Sequence, residues 1–219
     1  MKMQALTSGA AVVAIAAAAQ AQTFDVIGGQ TSVLLDTDTL SSAASLDLSS
    51  VSPDVIAPGA LGASSVAFGI NPRDAMMLPT TFSYTEGLGS FGGTIEHTGS
   101  VFFNMDSVQV GNFTIGFDAG RVGGDRSGFF VESTTGISAI LFDVASPDSL
   151  SATSDGLSIG ADLLVSSEFA TFLQDAGLAS ADLTGADVGD ALVEGIVPAP
   201  ASALLLGVAG LGAAARRRR

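Results

Sequence analysis

Between Ser107 and Asp118 the chain reads SVQVGNFTIGFD. Val108 and Val110 alternate with polar neighbours, and Phe113, Ile115 and Phe117 repeat the alternation after Gly111-Asn112. A period of two puts one set of side chains on one face of a strand, whereas a helix would scatter them round its axis. The stretch therefore predicts strands with a single buried face, with Gly111-Asn112 turning the chain between them. A half-buried strand is stable only against other strands, so this pattern constrains the chain more than any other feature does.

Comparable runs recur along the sequence. TSVLLD (31–36), SSVAFGI (64–70) and GLSIGADLLV (156–165) are β-prone and bounded by turn residues. TTFSYT (80–85) alternates, with Phe82 and Tyr84 on one face. SGFFVEST and ISAILFDV flank Thr135-Gly136 as a hairpin. Spacings of roughly 8 to 12 residues with turn signals between them predict an all-β fold, a single β-sandwich or jelly-roll-like domain over residues 22–195. One short helix is expected in SSEFATFLQDAG, with Ser166 or Ser167 as cap, Gly177 as stop and Phe169, Phe172 and Leu173 on one face. The Ser-, Ala-, Gly- and Pro-rich stretch 41–65 reads as an irregular excursion, and 181–191 as a strand plus turn.

Charge narrows the function. The chain has 219 residues and all 22 acidic ones lie between Asp25 and Glu194, against only Arg73, Arg121 and Arg126 in that span, a net of 3 − 22 = −19. Such a surface repels phosphate backbones, so no nucleic-acid partner is expected. The absence of cysteine removes disulfides, thiolate catalysis and zinc–thiolate sites together.

No constellation names a reaction. His97 is the sole histidine, and in a strand its neighbour Glu96 points to the opposite face. A surface or turn-proximal histidine is the expectation, with no catalytic role, and no G-x-S-x-G elbow nominates a serine. Asp36 and Asp38 would share a strand face if that strand persists, and Asp118 and Asp125 lie in the Gly-rich loop DAGRVGGDRSG. Either set suits a hard cation such as Ca²⁺, although the EF-hand pattern is missing and a solvated acidic face is the plainer reading. Absence of Trp and a single tyrosine, Tyr84, weaken a sugar-stacking platform. The expectation is a protein that is not an enzyme and needs no cofactor or metal, with a Ca²⁺- or carbohydrate-binding module as the alternative.

The two ends carry the strongest motifs. Lys2, the apolar run Ala10–Ala19 and the triplet Ala19-Gln20-Ala21 predict a secretory signal peptide over 1–21, with Gln22 as the first mature residue. At the other end, Val197-Pro198-Ala199-Pro200 precedes fifteen small or apolar residues, Ala201–Ala215, and then Arg216, Arg217, Arg218 and Arg219. As a helix that run would span roughly 22 Å, short against a hydrocarbon core of about 30 Å. The arginines would stay on the cytoplasmic side and leave the rest of the chain outside, as the signal peptide requires.

The ordered trio of Pro-rich motif, Leu/Gly/Ala-rich run and Arg cluster over 197–219 resembles the PEP-CTERM sorting domain of exported proteins in Gram-negative-type bacteria. Ala199 stands where that family's motif has Glu. The resemblance implies export through the translocon, a transient C-terminal anchor in the membrane formed by a hydrophobic sorting helix, and processing near Pro198 and Pro200 by an exosortase-like membrane enzyme. It also implies a destination in the cell envelope, at the cell surface or in an exopolysaccharide matrix.

Overall fold

The computed structural model describes residues 22–199. In chain order the strands are β1 (Thr23–Asp25), β2 (Gly28–Leu35), β3 (Leu48–Val51), β4 (Val66–Gly69), β5 (Ser83–Thr85), β6 (Phe91–Gly92) and β7 (Ile95–Glu96). They continue with β8 (Ser100–Phe103), β9 (Val108–Phe117), β10 (Arg126–Gly136), β11 (Ala139–Ala145), β12 (Ser149–Thr153), β13 (Gly156–Val165) and β14 (Asp187–Ile196). Helix α1 (Thr37–Ala44) follows β2, and α2 (Ser167–Asp175) follows β13. The fold is all-β, as the periodicity predicts, with two short α-helices rather than one among the described residues.

Eleven strands form one sheet in the order β3-β8-β9-β10-β11-β13-β14-β2-β4, with β12 also on β13 and β7 also on β9. Neighbouring strands of this sheet all run antiparallel among the described residues. The edges of this sheet then meet. Ile56, just beyond β3, exchanges two backbone hydrogen bonds of 2.8 Å with Ala67 of β4, and Ile70 bridges to His97. The sheet thus curls into a barrel, a closure that leaves few unpaired edges. A second sheet, β1-β5-β6, covers one end of the barrel, and α1 and α2 cover the other.

Three local expectations change. Gly111-Asn112 does not turn the chain: it lies within β9, which runs unbroken for ten residues. Asn112 has φ +48, and this one non-extended residue lets Val110 and Phe113, three apart, both point inward. The pairing with β10 passes through this point in register, Gly111 opposite Thr135 and Phe113 opposite Ser133. Asp36 and Asp38 do not share a strand face, because β2 stops at Leu35 and Asp36 caps α1. Stretch 41–65 is only partly irregular, since it holds the end of α1 and all of β3.

Other elements match their sequence signals closely. β13 has the predicted bounds, 156–165. The Thr135-Gly136 hairpin forms between β10 and β11, with Gly136 at φ +74, where a β-carbon would collide with the Gln109 carbonyl. Ser166 caps α2 by accepting from Phe169 N, and Phe169, Ala170 and Leu173 are its buried face.

The buried side chains form two apolar clusters. One lies under the helices around Phe68, Phe113, Leu141, Leu163 and Phe169. The other lies under the small sheet around Phe24, Val26, Phe82, Tyr84 and Leu157. No helix among the described residues is long and apolar enough to cross a membrane.

Candidate functional site

Inward residues from opposite walls do not fill the barrel. An apolar cavity of about 100 Å³ remains, with wall residues that include Val33 of β2, Ile115 of β9, Val131 of β10, Val144 of β11, Ile159 of β13 and Val193 of β14. Leu40 and Phe169 bound it towards the helices, and Phe82 and Phe129 towards the small sheet. Val131, Phe142, Val144 and Ile159 line this space and yet are only half-buried. Cores normally close such gaps to crystal-like density, so the hollow is a specific property of this interior.

Two polar side chains reach the cavity, Thr31 and His97. His97 is 1% exposed, not at the surface as its polar neighbourhood suggested. The reason is barrel closure: Ile95 and His97, two apart, both face inward, and the Ile70 bridge seals the wall beside the imidazole. Glu96 turns the other way, as expected, and accepts from Thr114 Oγ1 at 2.6 Å. Sequence missed the burial because β7 is only two residues long, too short to display a period.

Both imidazole nitrogens are engaged. Nδ1 lies 3.0 Å from the Phe113 carbonyl oxygen, which can only accept, so Nδ1 carries the hydrogen. Nε2 then accepts from the Thr31 hydroxyl at 2.7 Å. Burial depresses the pKa of His97 to about 4, against a smaller opposing effect of the Phe113 bond, so the ring is neutral at pH 7. With both nitrogens committed, the ring has no free lone pair for a substrate proton or a metal. The cavity therefore offers shape and apolar surface, with no unsatisfied polar group among the described residues.

Charge gathers on the other side of the wall. Asp143 of β11 is 1% exposed and points away from the cavity-lining Phe142 and Val144. Arg121 Nε donates to Asp143 Oδ1 at 2.6 Å, and its Nη atoms donate to both Glu168 oxygens at 2.6 and 2.9 Å. Arg126 stands 3.5 Å from Asp143 Oδ2, and Arg121 lies over the Phe130 ring. The bonds to Arg121 hold Glu168 down at about 2, and those carboxylates push Arg121 up. Two of the three interior arginines thus tie the β9–β10 connection to β11 and to the first turn of α2. No sequence spacing links residues 121, 143 and 168.

The expected carboxylate sites have other employment. Asp36 accepts from Thr39 N (2.9 Å) and Thr39 Oγ1 (2.7 Å), bonds that lower its pKa. Asp118 Oδ1 accepts from Gly120 N at 2.8 Å, whereas Asp125 is tied only through its backbone carbonyl, which accepts from Ser146 N. Among the described residues no group of three or more His, Asp or Glu is placed to hold a metal ion. Tyr84 is 1% exposed and cannot serve as a sugar platform.

No family model matches the chain, and no curated protein matches it. It is similar to a solved structure, the crystal structure of the C-terminal domain of HtaA from Corynebacterium glutamicum. The likeness is 15% identity and TM-score 0.48, over 80% of this chain and 99% of that one. A likeness of that degree transfers neither ligand nor activity.

Of the residues expected to direct export and sorting, Gln22, Pro198 and Ala199 are exposed, while Val197 is 7% exposed and packs in the cluster beneath the small sheet. Ala19, Ala21, Pro200 and Arg216 to Arg219 lie outside the described residues.

Proposed function

We propose that this chain is an exported, non-enzymatic cell-envelope or matrix protein whose barrel holds a small, uncharged, apolar molecule. The hollow apolar interior carries this reading. An unfilled apolar space forfeits contacts along its whole lining, and a fitting guest restores them. Engineered dry cavities of about 150 Å³ in another protein take up benzene or xenon, so a guest of about that size is the expected class here. Fluorobenzene is a suitable probe. Saturable binding and a rise in Tm are expected, and Ala161→Leu, which fills the lining, should abolish both. A Tm that stays flat in saturating fluorobenzene overturns the reading.

Export and sorting are supported by the N-terminal signal and by the Pro motif, apolar run and Arg cluster over 197–219. In this reading an exosortase-like enzyme acts on a transiently anchored chain, and Pro198 and Pro200 keep the motif extended. Intact mass of the protein recovered from its native cell tests it. Loss of residues 1–21 and of the Arg tail is expected, and changing Arg216–Arg219 to Gln should impair retention. A full-length mass would refute the processing.

A further inference from the structure

A guest must pass the barrel wall to reach the cavity, and the wall is not equally strong everywhere. Around most of the barrel, opening would strip backbone hydrogen bonds between paired strands and bury the broken ends unsatisfied. At the helical end, Arg121 and Ser166 fasten α2 to β11: Ser166 Oγ donates to Ile140 O at 2.6 Å, and Ser166 N to Leu141 O at 3.0 Å.

The seam beside the small sheet is built differently. Among the described residues no backbone hydrogen bond joins β6 to the β9–β10 pair, or β5 to β12. One side-chain bond, Tyr84 Oη to the Thr153 carbonyl at 2.8 Å, crosses to β12. Towards β9 and β10 the seam is aromatic. Phe91 of β6 stacks on Phe129 of β10 at 5.1 Å and meets Phe117 of β9 edge-on at 5.0 Å; Phe117 and Phe129 are 5.2 Å apart. Phe82 lies 6.2 Å from Phe91 and 6.4 Å from Phe129. These rings form an unbroken path. Phe82 and Phe129 line the cavity, Phe91 is half-buried, and Phe117 is 41% exposed.

We propose that the Phe91–Phe117–Phe129 cluster is the portal through which the apolar guest enters and leaves. The inference rests on the cavity being a ligand site. Ring rotation opens this seam without breaking a backbone pair, and each ring offers an apolar surface to a guest in transit. Rotamer changes of exposed side chains are also much faster than the collective motions that would part paired strands. Phe117 gates the path and leaves the cavity lining unaltered, so it governs rate rather than affinity.

The test is ¹⁹F exchange of fluorobenzene with the full chain. Phe117→Ala removes two ring contacts and is expected to speed release about tenfold, with Kd changed less than about twofold. Phe91→Leu, a milder change, should speed release in the same direction and keeps the test alive if Phe117→Ala fails to fold. Phe172→Ala, at the helical end, should leave the rate unchanged. Acceleration by Phe172→Ala and not by the seam variants would overturn the portal while keeping the cavity. No saturable binding in the unaltered chain would overturn both.

Discussion

Two polar clusters of this molecule lie on opposite sides of the barrel wall, one facing the cavity from β2 and the end of β7, the other outside β11. Inside, His97 and Thr31 meet as a neutral pair with every polar atom satisfied. Outside, Arg121, Asp143, Glu168 and Arg126 meet as ions. The difference lies in what each must exclude. The inner pair borders a dry space, where a net charge would be very costly, so burial keeps the imidazole unprotonated. The outer group is partly open to solvent through Glu168, whose side chain is 43% exposed, and water shares the cost of its charges. Charge therefore fastens the barrel from outside, and the interior remains fit for an apolar guest.

The severest way to break this arrangement is to remove one outer ion and leave its partner buried. Arg121→Met would leave Asp143 with Arg126 alone at 3.5 Å. A loss of about 3 kcal/mol or more is expected in urea denaturation. The double variant Arg121→Met with Asp143→Leu removes both charges and should recover much of that loss, as apolar replacements of buried ion pairs often do. A double variant as unstable as the single one would mean that the ions themselves, and not the stranded charge, matter to the fold.

Acid tests the inner pair. His97 titrates at about 4 in the folded barrel and near 6.5 unfolded, so the unfolded chain takes up the proton first. Its contribution is complete above about pH 6.5 and is lost as the pH falls towards 4, by about 3 kcal/mol in all. Unfolding free energies at pH 7, 5.5 and 4 should show this decline, and His97→Gln should flatten it. Fluorobenzene binding should fail over the same window. An undiminished slope in the variant would assign the acid loss to carboxylates instead.

How much of this was legible depended on how local each feature is. The bounds of β13 and the Ser166 cap of α2 follow from neighbours within a few residues, and both were readable. Helix α1 was not, because its apolar stripe is only Leu40 and Ala44 and Asp36 looked like a strand residue. The Gly111-Asn112 turn signal inside β9 lost to pairing on both edges, with β8 and β7 on one side and β10 on the other. Periodicity tells which side chains face inward, but not how far apart opposite walls stand. The cavity, the burial of His97 and the meeting of residues 121, 143 and 168 all depend on that distance.

A smaller loss should separate the hydrogen bond at His97 from its burial. Thr31→Val keeps the shape of the side chain and removes the donor to Nε2. A ring nitrogen is then left unsatisfied in a dry site, at an expected cost of about 1–2 kcal/mol. The urea midpoint should fall with the slope m unchanged, since the barrel itself is intact. A variant as stable as the parent would show that a water molecule replaces the hydroxyl, and the cavity would then be less dry than its lining indicates.

The smallest expected effect lies at the open edge of the outer cluster. Arg121 holds Glu168 at about 2, below its unfolded value near 4.5. The carboxylate therefore contributes fully above pH 4.5, and the contribution is lost as the pH falls towards 2. The side chain is substantially exposed, so solvent screens most of the attraction, and Glu168→Gln should cost less than about 1 kcal/mol at pH 7. Added salt should shrink even that difference, while leaving the cost of Arg121→Met largely intact because Asp143 is buried. Equal salt sensitivity in the two variants would mean that Asp143 is solvated in solution, and the contrast between the two faces of the wall would then be one of position alone.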